Sequence, residues 1–438
     1  MLLRFKVKNF LSFYEETSFD MFPNPKRTTF ENHIYKNMDI PLLKLSSIYG
    51  ANGSGKSNLL DSVRYIKMFA IDKDNHKRAN ISKNKFLLAD KINLSPVSFS
   101  IEFFHQEKYF IYDVELNDNQ VQKEELSLSG IGKNERKLIF RREGKNYEQS
   151  NSINQDIKRA IEKLLTTNPL SSLLSLNNEF PIIKDDLAKV AYEWFDSYID
   201  ILSLHNRHVP TLINLMSINP ELLSFTNQLF SKIGLGVNNI EIKEEKLNDY
   251  LIKHQDVAKF LKERVEEASD NEEVSLARND KILFSVGKKG NEAIVKRFIF
   301  NQSGVDGYVG GLEYESQSDG TARLMNLIPC LYNIIVKNCV YFIDELECGI
   351  HPNLIVALIK YIGEENTKGQ LIFTTHETEL LDQQKLMRPD ELWFAEKKSG
   401  NTHLYSLNDF KEHNTINIKN GYIEGRYGAI PFIENLGN

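Results

Sequence analysis

The stretch GANGSGKS at positions 50–57 constrains this chain more than any other feature, because it satisfies G-x-x-x-x-G-K-[ST]. Glycines let a backbone curl until successive N–H groups point inward. A helix that follows adds its positive end to that anion cradle. The flanking residues predict this context. The short apolar run LLKLSSIY ends at Gly50, and from Gly55 to about Ala70 apolar residues recur at helical spacing. A strand, a glycine turn and a helix in that order form a phosphate-binding loop. Gly50, Asn52, Gly53, Gly55, Lys56, Ser57 and Asn58 are its candidate nucleotide contacts, with Lys56 reaching the β- and γ-phosphates of ATP and the Ser57 hydroxyl ligating Mg²⁺.

Three further stretches fit that chemistry. In CVYFIDELECGIHP (339–352) an apolar run ends in Asp344 and Glu345, as a buried strand does when it delivers carboxylates at its carboxyl edge. Asp344 is the candidate Mg²⁺ ligand, and Glu345 the candidate base that orients and deprotonates the attacking water. QLIFTTHETELL (370–381) repeats the pattern and delivers His376, a candidate contact to the γ-phosphate. ESQSDGTARLMNLI (315–328) places Ser318, Gly320 and Thr321 before a helix, where free N–H groups offer a second anion site. Alone, an apolar run followed by Asp-Glu is common, a histidine at a strand end also reads as a capped structural residue, and Ser-x-Gly reads as a helix cap; behind a P-loop they read together.

The rest of the chain alternates in character. LRFKVKNF and TSFDMF predict half-buried strands, and short alternating runs from Pro96 to about Gln149 predict an antiparallel sheet of hairpins, with Gln106 in one of its turns. From about Asn151 to Arg278 the pattern is mostly helical, including YEWFDSYIDIL and EEKLNDYLIKHQDVAKFLKERVEE. In the latter, Leu247, Leu251, Val257, Leu261 and Val265 form an apolar stripe suited to packing on the body. SDNEEVSLARND reads as a charged link, and strands return at KILFSV and AIVKRFIF. The expected division is 1–150 for the N-terminal half of the ATPase head, 151–280 for an inserted helical lobe serving as a partner, dimerisation or sensor element, and 281–438 for the C-terminal half.

Bulk properties narrow the classes. A formal net charge of −6 supplies no global basic field, so DNA is possible but not favoured as a partner. Cys330, Cys339 and Cys348 suit neither a disulfide framework nor a zinc knuckle, which points to a reducing cytoplasm. LIPCLYNIIVKNCVYFI (327–343) is interrupted by Asn333, Lys337 and Asn338. It predicts a buried helix running into a strand, with no membrane span.

The order of motifs resembles the ABC-type ATPase heads of the SMC, RecF and double-strand-break repair families. It implies an α/β fold: an ABC-ATPase-like P-loop head of mixed sheet flanked by helices, with an antiparallel β subdomain and an inserted helical lobe. In those families the Ser-x-Gly segment closes on the partner's nucleotide. The resemblance therefore implies that Ser318 and Gly320 act in trans within a homodimer or higher homo-oligomer. LRFKVKNFLSF, YGANGSGKSNLL, SDGTARL, FIDELECGIHP, LIFTTHETELL, LWFAEKKSGNTHLYSLNDF and YIEGRYGAIP resemble more closely the RloA/AbiLi-type, OLD-like AAA ATPases of phage defence, with the ATPase subunit of PARIS among similar proteins. That likeness implies a regulatory or sensor subunit of an abortive-infection system with a separate TOPRIM- or nuclease-like effector. After His376 only 62 residues remain, without a DxD set, so no nuclease activity is expected of the chain itself. The signature reads SQSDGT rather than the transporter LSGGQ, and Gln106 in FFHQEKY falls where a glutamine-loop residue could stand but reads rather as part of a hairpin turn. The alternative is a RecF/SMC-like repair ATPase that binds DNA. Lys419 and Arg426 in the tail are expected to be solvated or packed.

Overall fold

The computed structural model describes residues 1–71, 81–89, 95–130, 136–150, 154–179, 186–203, 212–254, 273–278, 281–289, 292–364, 366–381, 386–410 and 417–430. They divide into two compact units. The first comprises Met1–Leu202, Ile334–Leu346 and Leu358–Asn438, and the second Ser203–Asn333 and Glu347–Ala357.

Two sheets build the first unit. One is antiparallel and seven-stranded, in the order Asn146–Gln149, Lys137–Glu143, Val121–Leu128, Lys108–Leu116, Val97–His105, Leu2–Lys8, Thr17–Asp20. Val97–His105 alternates buried and half-buried positions along its whole length, the signature of a strand with one face on a core. Its turn with the next strand holds Gln106 and Glu107 at φ 45° and 60°, and Gln106 Nε2 donates to Glu193 Oε2 at 3.0 Å. The other sheet is six-stranded: Ile199–Leu202, Val340–Ile343, Gln370–Thr374, Leu45–Tyr49, Leu392–Lys398, Asn401–Ser406. The first five are parallel and the last closes the edge as an antiparallel hairpin. Leu45–Tyr49 and Gln370–Thr374 are buried at every position, which is why, Gln370 apart, both read as unbroken runs of apolar and small residues. This is the mixed α/β architecture with an antiparallel β subdomain that the ABC-ATPase-like resemblance implied.

Gln370 ties the two sheets together. Its Oε1 accepts from the Leu2 N–H at 2.6 Å, and its Nε2 donates to Leu2 O at 3.1 Å and Leu43 O at 2.9 Å. Between them lies a core that includes Phe5, Phe99, Phe103, Leu59, Val63 and Phe342, with the Trp194 ring stacked on Phe103 at 4.1 Å. Helix Lys56–Ile71 turns Leu59, Leu60, Val63, Ile66 and Phe69 into the buried region, as the helical spacing predicted.

YEWFDSYIDIL was expected to be wholly helical, and its last residues differ. Ile199–Leu202 pairs in parallel with Val340–Ile343, because the β-branched Ile199 and Ile201 find burial beside a strand about 140 positions away. The helices Gln155–Thr167, Leu173–Glu179 and Asp186–Glu193 belong to the first unit.

The second unit carries an antiparallel sheet of Val237–Lys246, Glu292–Ser303, Lys281–Lys289 and Glu273–Arg278, with Val309–Glu313 also paired to Glu292–Ser303. So the interval expected to be mostly helical also contains strands, Glu273–Arg278 among them, where a link was expected. Leu247 and Leu251 pack with Tyr250, Phe284, Val286 and Val295; Val257, Leu261 and Val265 lie outside the described residues. Asp319–Val336 is a helix leading to strand Val340–Ile343, as read from the sequence. Among the described residues no helix is long and apolar enough to cross a membrane.

Candidate functional site

The parallel strands Val340–Ile343, Gln370–Thr374 and Leu45–Tyr49 are consecutive neighbours in the sheet, so their carboxyl ends lie side by side. One strand runs into Asp344 and Glu345, the second into Thr375 and His376, the third into the glycine loop. Side-chain contacts join the three ends. Lys56 Nζ lies 3.1 Å from His376 Nε2 and donates to Gly50 O at 2.7 Å and to Ala51 O at 3.3 Å. Thr374 Oγ1 donates to Asp344 Oδ1 at 2.6 Å and accepts from the Glu345 N–H at 2.8 Å. The crevice outside the carboxyl ends of parallel strands is where α/β sheets bind ligands.

The loop has the backbone that a phosphate cradle requires. Gly53 and Gly55 sit at φ 77° and 106°, a region closed to most side chains. A Cβ on Gly50 would meet Ala395 O at 2.5 Å, and one on Gly55 would meet Thr402 Oγ1 at 2.2 Å, so the loop is pressed against the hairpin behind it. Lys56 is 7% exposed, and the nearby Ser54 Oγ is buried without a hydrogen-bond partner. Asn52 and Ser57 are exposed, and Asn58 is half-buried with its Nδ2 donating to Ser12 Oγ at 2.7 Å. These features fit a polyanion bearing terminal phosphates.

Electrostatics also link the loop's helix to the acidic strand end. Asp61 on that helix pairs with Arg64, and its carboxyl is held above the usual carboxylate range by burial first, with the charge of Asp344 adding to the effect. Asp344 and Glu345 are half-buried and His376 is exposed. Glu345 adopts φ 46°, a left-handed conformation that is costly for a side-chain-bearing residue. A divalent ion would find oxygen donors in Ser57 and Asp344. Mg²⁺ at P-loops draws most of its remaining coordination from water and phosphate, so a short protein donor set fits it.

Ser318 and Gly320 belong to the second unit. Ser318 Oγ accepts from the Thr321 N–H at 3.1 Å and lies 2.9 Å from Thr321 Oγ1, capping helix Asp319–Val336. A Cβ on Gly320 would approach Gly349 O to 3.1 Å, so this helix start packs closely on the turn after the acidic strand. Of the tail residues, Lys419 pairs with Glu379.

Sequence reasoning missed Thr374, Ser12 and Thr402. Thr374 stood within a motif quoted for its histidine. Ser12 and Thr402 touch the loop only through folding from the two ends of the chain, and no local pattern announces that.

Comparison with known proteins bears on the family of the chain. The model of the family described as "AAA domain, putative AbiEii toxin, Type IV TA system" matches residues 45–382. The chain is 24% identical over 357 residues to "Retron Vc95 probable ATPase" of Vibrio cholerae serotype O1 biovar El Tor, covering 75% of this chain and 65% of that protein. It is 26% identical over 102 residues to "Endonuclease GajA" of Bacillus cereus (strain VD045), covering 22% of this chain and 17% of that one. It therefore spans less than two thirds of the curated relatives it matches. Among solved structures, an SmcHead bound to the C-winged helix domain of ScpA aligns over 93% of this chain and 99% of that one, at 13% identity and a TM-score of 0.43. With more than half of its length, residues 45–382, matched by that model, the chain belongs to this family of AAA domains.

Proposed function

We propose that the chain binds ATP with Mg²⁺ at the crevice bounded by Gly50–Ser57, Asp344, Glu345 and His376, and hydrolyses it in a closed pair of heads. In this reading it is the regulatory subunit of an anti-phage, abortive-infection system and controls a separate effector, a nuclease, without cutting nucleic acid itself. The observation that carries the reading is the meeting of Lys56 with His376, and of Thr374 with Asp344 and Glu345, at three adjacent strand ends.

Each residue has a task set by its chemistry. The N–H groups of the loop and the Lys56 ammonium hold the phosphates; Ser57 and Asp344 hold the metal. Mg²⁺, when bound, neutralises phosphate charge and fixes the phosphates in place. Glu345 orients the attacking water and takes its proton, and His376 steadies the terminal phosphate. Ser318 and Gly320 offer a capped helix start of the kind that accepts an anion from a second protomer. The names of the two relatives, an ATPase of a retron and an endonuclease, support a defence setting.

The test combines solution mass with phage challenge. Glu345→Gln in excess Mg-ATP should double in mass, and Ser318→Arg added to it should keep the chain monomeric. In cells carrying the chain with its neighbouring genes, Lys56→Ala should abolish protection. Protection that survives Lys56→Ala would overturn the proposal.

A further inference from the structure

We infer that Ser12 and Thr402 are positioning residues that aim the Gly55 N–H of the phosphate-binding loop, through a directed chain of hydrogen bonds from Asn58 to Ser54. This rests on the nucleotide-binding reading above and adds to it two residues from opposite ends of the sequence.

Three contacts form the chain. Asn58 Nδ2 lies 2.7 Å from Ser12 Oγ, Ser12 Oγ lies 2.7 Å from Thr402 Oγ1, and Thr402 Oγ1 lies 2.8 Å from Ser54 O. Proton accounting fixes their direction. An amide nitrogen can only donate, and a carbonyl oxygen can only accept, while each hydroxyl has one proton to give. Thr402 must therefore give its proton to Ser54 O. Ser12 must then give its own to Thr402 and receive from Asn58. Every hydroxyl donates once and accepts once, so the chain is saturated and its members polarise one another. Thr402 is fully buried and Ser12 nearly so, which leaves water little access as a substitute.

The target of the chain gives it a function. In a trans peptide, C=O and N–H point in opposite directions. Drawing the Ser54 carbonyl toward Thr402 turns the Gly55 N–H away from the hairpin, toward the open side of the loop. Gly55 holds φ 106°, and a Cβ there would strike Thr402 Oγ1 at 2.2 Å and Ser12 Oγ at 2.9 Å, so the glycine lets both hydroxyls reach the peptide. A backbone bond between the Thr402 N–H and Ser12 O, 2.7 Å, locks the two residues in register. Without the chain, the Ser54–Gly55 peptide can rotate and withdraw one donor from the phosphates.

Equilibrium binding of Mg-ATP to the full chain tests this, with the melting temperature of the nucleotide-free protein read alongside. One lost charge-assisted donor corresponds to a dissociation constant raised about tenfold. Thr402→Val and Ser12→Ala should each show that rise, with kcat at saturating ATP within about threefold of wild type, and Thr402→Ser should restore wild-type affinity. A residue that only stabilises the fold would lower the melting temperature and leave the dissociation constant unchanged. If Thr402→Val binds as wild type does while Lys56→Ala does not bind, the positioning role is wrong and the nucleotide site stands. If Thr402→Val fails to fold, Ser12→Ala decides by the same criterion. If wild type itself binds no nucleotide, both inferences fall.

Discussion

At Thr374 one hydroxyl serves two carboxylate residues. Its proton goes to Asp344 and its lone pair receives the Glu345 N–H, so it fixes the metal-ligand candidate and the strained backbone of the base candidate together. A hydrogen bond to a charged group contributes about 1.5–3 kcal/mol. Thr374→Val keeps the shape and loses both contacts, so ATP turnover should fall about 10- to 100-fold, while Thr374→Ser should stay near wild type in the same steady-state assay. A second residue-scale test concerns pH. Glu391 is wholly buried, and burial first, with the charge of Asp390 adding to it, raises its carboxyl above the usual range even though His33 Nδ1 at 2.9 Å and the Arg388 N–H act to lower it. A raised folded pKa means that this group's contribution to stability is complete below the unfolded value, about 4.3, and is lost as pH rises through the folded value. Glu391→Gln mimics the protonated form. Its melting temperature relative to wild type should climb with pH from about 4 upward, as thermal unfolding across that range would register. A constant difference would contradict the assignment.

Among the elements, the buried pair Glu124–Arg142 holds the helical segments of the first unit to the antiparallel sheet. Glu124 accepts from the Leu173 and Leu174 N–H groups, which open helix Leu173–Glu179, and from Tyr112 and Ser172. Arg142 donates to the carbonyls of Gly144, Pro169 and Ser171 and lies 3.8 Å from Glu124. Both side chains are fully buried, so Glu124→Ala takes a carboxylate from beside a buried guanidinium and removes the acceptor of four donors, and should cost about 3–5 kcal/mol in denaturant unfolding. This arrangement also shows where sequence reading stops. The strands of the hairpin sheet were legible because one buried face leaves an alternation of period two. Ile199–Leu202 was not, since its preference is decided by a partner strand far along the chain. In the second unit the strand Val237–Lys246 is rich in Glu and Lys and carries few buried side chains, so its local pattern resembles an exposed helix.

Over the whole molecule, the candidate site was legible wherever chemistry demands a fixed local spacing: the glycine loop, the acidic strand end and the histidine strand end. The structure adds the adjacency of those ends, which depends on strand order and leaves no trace in any one segment. The clasp of Ser12 and Thr402 on the loop was illegible for the same reason. The central claim is that Lys56 and Glu345 belong to a single ATP site with separable roles, binding and chemistry. Titration of Mg-ATP against wild type, Lys56→Ala and Glu345→Gln, with turnover measured on the same samples, tests it most directly. Lys56→Ala should lose binding. Glu345→Gln should bind as tightly as wild type and turn over about 100-fold more slowly. Undiminished ATP binding by Lys56→Ala, or undiminished turnover by Glu345→Gln, would contradict the account.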